Sequence, residues 1–69
     1  MKEISIETEY IKLDQLLKLI GIAQTGGQAK MMINEGIVKV NKEVAFERGK
    51  KIRKNDIVDI EGYGVYKII

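Results

Sequence analysis

Residues 12–41 read KLDQLLKLIGIAQTGGQAKMMINEGIVKVN and contain the clearest structural pattern in the chain. Leucine and isoleucine recur there at the i, i+3, i+4 and i+7 spacing of one apolar helix face, at Leu13, Leu16, Leu17 and Ile20. Gly21 follows in the position where glycine commonly ends a helix. The pattern therefore predicts a first helix that buries one face.

A second helix is predicted to begin directly after Thr25. The Thr25 hydroxyl can cap the helix N-terminus, and Gln28, three residues later, completes a capping box. A stripe of apolar residues follows at Ala29, Met32 and Ile33, and Gly36 is expected to stop the helix. Two consecutive helices are thus expected before residue 37.

The rest of the chain has the two-residue alternation of β-strands, at residues 4–6, 38–40 and 58–60, with a last strand at 65–69. Asn41-Lys42 can form a tight turn into residues 44–46, because Asn tolerates positive φ, and Phe46 is expected in the core. The N-terminal strand is expected at the sheet edge, beside the C-terminal strand. These elements predict an α+β fold with two helices packed on a small, mainly antiparallel sheet.

The composition excludes several kinds of site. The chain of 69 residues contains no Cys and no His, which rules out disulfides and Cys/His zinc sites and removes the commonest general base. No nucleophile–base pair is evident, so we expect neither catalysis nor a cofactor. No apolar run approaches the roughly 20 residues of a membrane span. We expect one domain over residues 1–69, in a cytoplasmic monomer without membrane association.

Positive charge is concentrated in one segment. The net charge is only +2, yet residues 48–54, RGKKIRK, hold five Lys or Arg among seven residues. Such a local field favours a polyanion such as nucleic acid, although a solvated loop is the alternative interpretation. In an extended segment Lys51 and Arg53 would project opposite Ile52, whereas Arg48 and Lys50 would share its side and reach out at the rim. We favour Arg48, Lys51 and Arg53 as phosphate contacts, followed by Lys50.

The N-terminus of the second helix is a further candidate site. The first N–H groups of a helix lack intrahelical partners and carry partial positive charge. Gly26 and Gly27 have no side chain to obstruct an approaching phosphate, and Lys30 lies one turn further along. The alternative is that the two glycines only form a helix–helix turn, where glycine is common.

These features together resemble the S4 RNA-binding domain over about residues 10–60. The matching positions are Lys12-Leu13-Asp14, Leu17, Gly21, Thr25, Ala29, Ile33, Gly36, Val38, Val40-Asn41, Asn55-Asp56 and Val58. TGGQAK, residues 25–30, is most similar to the minimal stand-alone S4-like proteins known as YaaA and YbcJ. The resemblance implies the S4-like (αL) fold and binding to structured RNA, whether ribosomal, tRNA-like or another folded RNA, with the ribosome as a partner.

The chain departs from the family pattern at three places. Many S4 domains have Ser-Arg where Thr25-Gly26 stands, so one phosphate contact is lost and the backbone of the glycines is exposed. Asn41-Lys42 replaces Asn-Gly, and Asn55-Asp56 replaces Gly-Asp; both changes are mild because Asn also adopts positive φ. Lys12 matches the cation that often precedes Leu-Asp. Asp14 is expected to be structural, through a helix cap or an ion pair.

The aromatic residues do not form the paired stacking platform of an RRM domain. We therefore expect recognition of RNA shape and backbone rather than of base edges. The residues predicted to bind RNA are Lys12, Thr25, Gly26, Gly27, Gln28, Lys30, Arg48, Lys50, Lys51 and Arg53. An alternative function is that of a protein-interaction adaptor, which would use the same basic face or an exposed sheet edge.

Overall fold

Two helices and seven short strands build the fold, and the computed structural model describes all 69 residues. In chain order the elements are β1 (Lys2–Ile4), β2 (Tyr10–Lys12), α1 (Leu13–Leu19), α2 (Gly26–Asn34), β3 (Val38–Val40), β4 (Glu43–Val44), β5 (Lys51–Arg53), β6 (Ile57–Ile60) and β7 (Gly64–Ile68). Neither helix has the length and apolar character that a membrane span requires.

The strands form two separate sheets. The larger has the order β1-β7-β6-β3-β4, with antiparallel pairing throughout except for the parallel pair β1–β7. The smaller is an antiparallel ribbon of β2 and β5. The expected α+β fold with a mainly antiparallel sheet is confirmed, and so is the position of the N-terminal strand beside the C-terminal one. That strand covers Lys2–Ile4 rather than the expected residues 4–6, because its pairing with β7 ends at Ile4, although Ile6 is buried.

The helices contribute the apolar stripes that the sequence predicts. Leu13, Leu16 and Leu17 of α1 are fully buried, and Ala29, Met32 and Ile33 of α2 are buried as well. Each helix is followed by a glycine with positive φ, Gly21 and Gly36. The apolar faces of the helices join the buried side chains of the sheet, at Val38, Val40, Val58, Ile60, Tyr66 and Ile68, in one core.

A polar clamp connects the β3–β4 hairpin to the turn before β6. Asn41 and Lys42 both have positive φ, as in the type I′ turns that suit hairpins. The Asn41 side chain donates to Asp56 Oδ1 at 3.0 Å and accepts the Ile57 N–H at 2.9 Å. Asp56 Oδ2 accepts the Arg53 N–H at 2.8 Å. The clamp therefore fixes the end of β5 relative to the hairpin.

The expectation that Phe46 lies in the core is wrong. Strand β4 ends at Val44, and the buried position after it belongs to Ala45, whose N–H donates to the Val38 carbonyl at 2.9 Å. Because neighbouring side chains in an extended segment point to opposite sides, Val44 and Phe46 face outward. The Phe46 side chain is 62% exposed, and its ring lies over Gly36.

We expect Asp56→Ala to lower the free energy of unfolding by about 1–2 kcal/mol, because the Arg53 N–H and the Asn41 amide both lose a charged acceptor. Thermal and urea unfolding followed by circular dichroism would measure the loss. Asp59→Ala is the matched control, since this exposed carboxylate forms no side-chain hydrogen bond in the clamp, and its effect should stay within about 0.5 kcal/mol. Equal effects of the two variants would contradict a stabilising clamp.

Candidate nucleic-acid interface

The side chains of the β2–β5 ribbon lie on two opposite sides of it. The register pairs Tyr10 with Arg53, Ile11 with Ile52, and Lys12 with Lys51. Side chains directly opposite each other in an antiparallel pair lie on the same side of the sheet. Ile52 is completely buried and Ile11 packs against the core, so the other two pairs face solvent.

We call Lys12, Lys51 and Arg53 the basic ribbon face. All three side chains are exposed. The expected projection of Lys51 and Arg53 away from Ile52 is confirmed by the exposed–buried–exposed pattern of β5. Pairing of the two strands also brings Lys12, from the beginning of the helical region, directly opposite Lys51. Cations from two distant parts of the sequence thus lie on one surface.

The backbone of the basic segment caps helix α1. The Leu13 N–H donates to the Lys50 carbonyl, and the Asp14 N–H donates to the Arg48 carbonyl, both at 2.9 Å. The Asp14 carboxylate accepts the Gln15 N–H at 2.8 Å, which agrees with its expected structural role. The first N–H groups of α1 are therefore occupied within the protein.

This capping places Arg48 and Lys50 differently from the fully extended segment that the sequence suggests. Strand β5 begins only at Lys51, and Glu47–Lys50 form a turn in which the Lys50 N–H donates to the Glu47 carbonyl at 3.2 Å. Arg48 and Lys50 are exposed beside the start of α1 instead of following the alternation through Ile52. The interaction of their carbonyl groups with the helix N-terminus explains the turn.

Tyr10 is the residue of the candidate interface that the sequence did not single out. The Lys51 Nζ lies 4.8 Å from the centroid of the Tyr10 ring, and the Arg53 guanidinium carbon lies 5.7 Å from it. These are distances at which cations are attracted to an aromatic face. Only the cross-strand register creates this contact, so no local sequence signal could have revealed it.

Carboxylates share two clefts with cations of the basic ribbon face and its neighbours. An open cleft of about 370 Å³ is lined by Lys50, Lys51 and Arg53 together with Val40, Asn41, Glu43 and Asp56. A second cleft, of about 400 Å³, is lined by Arg53 and Lys54 together with Glu7, Thr8 and Glu9. The positive surface is consequently a strip with carboxylates in the clefts beside it.

The N-terminus of α2, residues 25–30, forms the second candidate region, which we call the helix-two opening. Thr25 Oγ1 accepts the Gln28 N–H at 3.1 Å, which confirms the predicted cap. The Gln28 side chain, however, accepts the Gln24 N–H at 2.7 Å, one residue before the partner expected in a capping box. Lys30 is exposed on the same helix.

Gly26 and Gly27 occupy open space in ordinary helical conformation. A Cβ at Gly26 would meet no atom within 4 Å, and one at Gly27 would meet only Thr25 Oγ1, at 3.9 Å. Neither glycine has positive φ. Neither the backbone conformation nor packing within the chain therefore requires glycine at these positions.

The residues predicted to bind RNA do not all lie in one cleft. Lys12, Lys51 and Arg53 form the basic ribbon face, and Arg48 and Lys50 lie next to it through the turn that caps α1. The clefts beside the ribbon contain none of the residues Thr25, Gly26, Gly27, Gln28 and Lys30. The helix-two opening is thus a second surface, carried by a different element.

The arrangement of helices and strands is that of RNA-binding domains with an αL motif. The solution structure of YbcJ from Escherichia coli, described as revealing an αL motif involved in RNA binding, matches 100% of this chain and 87% of its own with a TM-score of 0.74 and 33% identity. A model of the S4 domain family matches residues 4–69. The chain therefore belongs to the S4 domain family, and the resemblance that its sequence suggests is confirmed.

Curated relatives agree with this family. The probable ribosome maturation protein RlbA of Bacillus subtilis (strain 168) is 46% identical over 66 residues, which span 96% of this chain and 93% of RlbA. The putative RNA-binding protein YbcJ of Escherichia coli (strain K12) is 39% identical over 56 residues, covering 81% of this chain and 80% of YbcJ. Both relatives are matched over most of their length.

Identical substitutions at two glycines should have opposite effects on stability. Gly27→Ala is expected to raise the free energy of unfolding by up to about 1 kcal/mol, because the site is helical and unobstructed. Gly36→Ala should lower it by about 1–2 kcal/mol, since alanine resists the left-handed conformation that Gly36 adopts. Urea unfolding of both variants checks the pair; a destabilised Gly27→Ala protein would show that the turn itself needs glycine.

Proposed function

We propose that this protein binds folded RNA with the basic ribbon face, and that the helix-two opening holds a second phosphate. The observation that carries the proposal is the direct opposition of Lys12 and Lys51 on an exposed ribbon that also presents Arg53. Like charges opposite each other destabilise a strand pair. A polyanion removes this repulsion, so the arrangement favours a bound phosphate backbone.

The chemistry of the side chains fits phosphate. The guanidinium of Arg53 can donate two parallel hydrogen bonds to one phosphate, whereas lysine acts as a compact point charge. Arg48 and Lys50 extend the positive strip past the beginning of α1, and their backbone is held by the two hydrogen bonds to that helix. RNA phosphates would therefore meet cations on a rigid support.

The helix-two opening adds donors of another kind. The N–H groups of Gly26 and Gly27 are in the first turn of α2, where no intrahelical acceptor exists and the helix dipole favours an anion. The absence of side chains allows an oxygen to approach the backbone closely, with Thr25 and Gln28 fixing the first turn and Lys30 adding charge. A site of this kind compensates for the arginine that many S4 domains have at the position of Gly26.

The proposed ligand is RNA of the ribosome or of its precursors. This choice is supported by RlbA, whose name describes a probable ribosome maturation protein. Such a partner would place the protein in the cytoplasm, where it would act by binding, as a monomer and without catalysis or a cofactor. A tRNA-like or other folded RNA would offer the same phosphate geometry.

A protein-interaction adaptor is the second candidate function. One observation favours it: Val44 and Phe46 are 42% and 62% exposed at the edge strand β4, beside an open cleft of about 280 Å³. An apolar contact of this kind would be insensitive to salt, whereas phosphate binding weakens steeply as salt rises. Salt dependence therefore separates the two functions.

Removal of two charges from the basic ribbon face should weaken RNA binding and its salt dependence together. For the double variant Lys51→Gln/Arg53→Gln we expect the slope of log affinity against log salt concentration to flatten by roughly 1.4–1.8, because each lost phosphate contact contributes roughly 0.7–0.9. Fluorescence anisotropy with a labelled RNA hairpin, over a series of salt concentrations, gives both quantities.

The matched control is Lys2→Gln/Lys39→Gln, which removes the same charge from exposed strand positions outside the ribbon. Its slope should equal that of the unmodified protein. The proposal fails if both double variants lose affinity equally, since a general charge effect would then be sufficient, or if neither variant changes the slope.

The helix-two opening is tested by Gly27→Val together with Lys30→Ala. Valine at this helical position changes stability by only about 0.5 kcal/mol, yet it obstructs a phosphate near the backbone. We expect a normal melting temperature and clearly reduced RNA affinity for Gly27→Val, and a smaller loss of affinity for Lys30→Ala. Normal RNA binding by both folded variants would restrict the phosphate contacts to the basic ribbon face and its neighbouring turn.

A further inference from the structure

We infer that Tyr10 is the stacking site for an unpaired nucleotide of the bound RNA. The inference rests on the proposed function and extends it, because it defines which part of a folded RNA meets the ribbon. It also departs from the expectation, drawn from the sequence, that recognition uses shape and backbone alone.

The Tyr10 ring is held on the outer side of the ribbon. The Tyr10 backbone pairs with Arg53 across the ribbon, and the Tyr10 carbonyl accepts the Thr8 hydroxyl at 2.8 Å. The side chain shares its side of the sheet with Arg53 and Lys51, and its inward-pointing neighbour Ile11 packs against the core. Tyr10 is therefore half-buried, and it lies on the same side of the ribbon as the cations.

The surroundings of the ring match the two parts of a nucleotide. Lys51 and Arg53 lie 4.8 Å and 5.7 Å from the ring centroid and can bind the phosphate. The aromatic face suits the base, because every base has a π-face that can stack on tyrosine. When phosphate engages the two cations, the face that they cover becomes available to the base.

A stacked base must be unpaired. Bases within a helix are already stacked on their neighbours, whereas those in loops, bulges and ends can turn outward onto an aromatic side chain. The favoured ligand is therefore an unpaired nucleotide next to an RNA stem. The phosphates of that stem would contact Lys12 and the turn at Arg48. Both cation–π contacts in the structure involve Tyr10, which distinguishes it from the exposed Tyr63 in the turn between β6 and β7.

The experiment compares two RNA hairpins with the same stem, one closed by an all-adenosine loop and the other by an abasic loop. We expect Tyr10→Leu to weaken binding to the adenosine-loop hairpin about fivefold or more beyond any loss for the abasic-loop hairpin, which corresponds to the lower end of measured stacking contributions. Tyr10→Phe retains the ring and should bind both hairpins normally. Tyr63→Leu, which removes another exposed tyrosine, should also bind both normally.

A direct measurement on the unmodified protein avoids dependence on the folding of a variant. Ring-proton resonances of Tyr10 should move upfield when the adenosine-loop hairpin is added and should not do so with the abasic-loop hairpin. The inference is overturned if the resonances respond equally to the two hairpins, or if Tyr10→Leu weakens binding to both by the same factor or to neither.

The same measurements distinguish failure of the stacking site from failure of the proposed function. Salt-dependent binding of the abasic-loop hairpin, reduced in Lys51→Gln/Arg53→Gln, together with no effect of Tyr10→Leu on either RNA, would retain the proposed function and remove Tyr10 from it. If the unmodified protein binds neither hairpin, the proposed function and the stacking site both fail.

Discussion

The interface depends on one continuous backbone connection, in which residues 10–14 pair with residues 48–53. Three residue pairs form the β2–β5 ribbon, and the next two N–H groups, those of Leu13 and Asp14, donate to carbonyls of the basic segment. The backbone of residues 48–53 thus pairs with strand β2 and also caps helix α1. Since those carbonyls point toward the helix, the cations attached to the same segment are held at the surface.

Burial of Ile52 offsets the electrostatic repulsion between the cations of this surface. The opposition of Lys12 and Lys51 costs a few tenths of a kcal/mol to about 1 kcal/mol. Full burial of an isoleucine side chain contributes about 1.5–3 kcal/mol, and Ile52 is completely buried between the two exposed cations of β5. The apolar contribution exceeds the electrostatic cost, so the ribbon remains paired without a ligand. Asp56 secures the other end of β5 through the Arg53 N–H.

The sequence was sufficient for most elements with a local signal, although the first strand lies at Lys2–Ile4 instead of the expected residues 4–6. Helical spacing located α1 and α2, Thr25 and Gly36 marked the ends of α2, and alternation around Ile52 gave the outward direction of Lys51 and Arg53. It was not sufficient where only the pairing register between distant strands determines which residues meet. Strand β2 has three residues, too few for a period, so its pairing with β5 and the cations over Tyr10 could not be foreseen. Phe46 was misplaced because its hydrophobicity suggested burial, whereas the alternation assigns the buried position to Ala45.

Carboxylates beside the basic ribbon face would give the proposed interface selectivity. Attraction between lysine or arginine and phosphate is independent of sequence and would act on any polyanion. Glu7 and Glu9 line one of the two clefts beside the ribbon, and Glu43 lines the other. A phosphate displaced from the basic ribbon face into either cleft would approach a carboxylate, which would favour a backbone that follows the cations. In the proposed complex, repulsion would therefore help to orient the RNA, and Tyr10, which lies across the ribbon from Arg53, would have a defined position along it at which to meet a base.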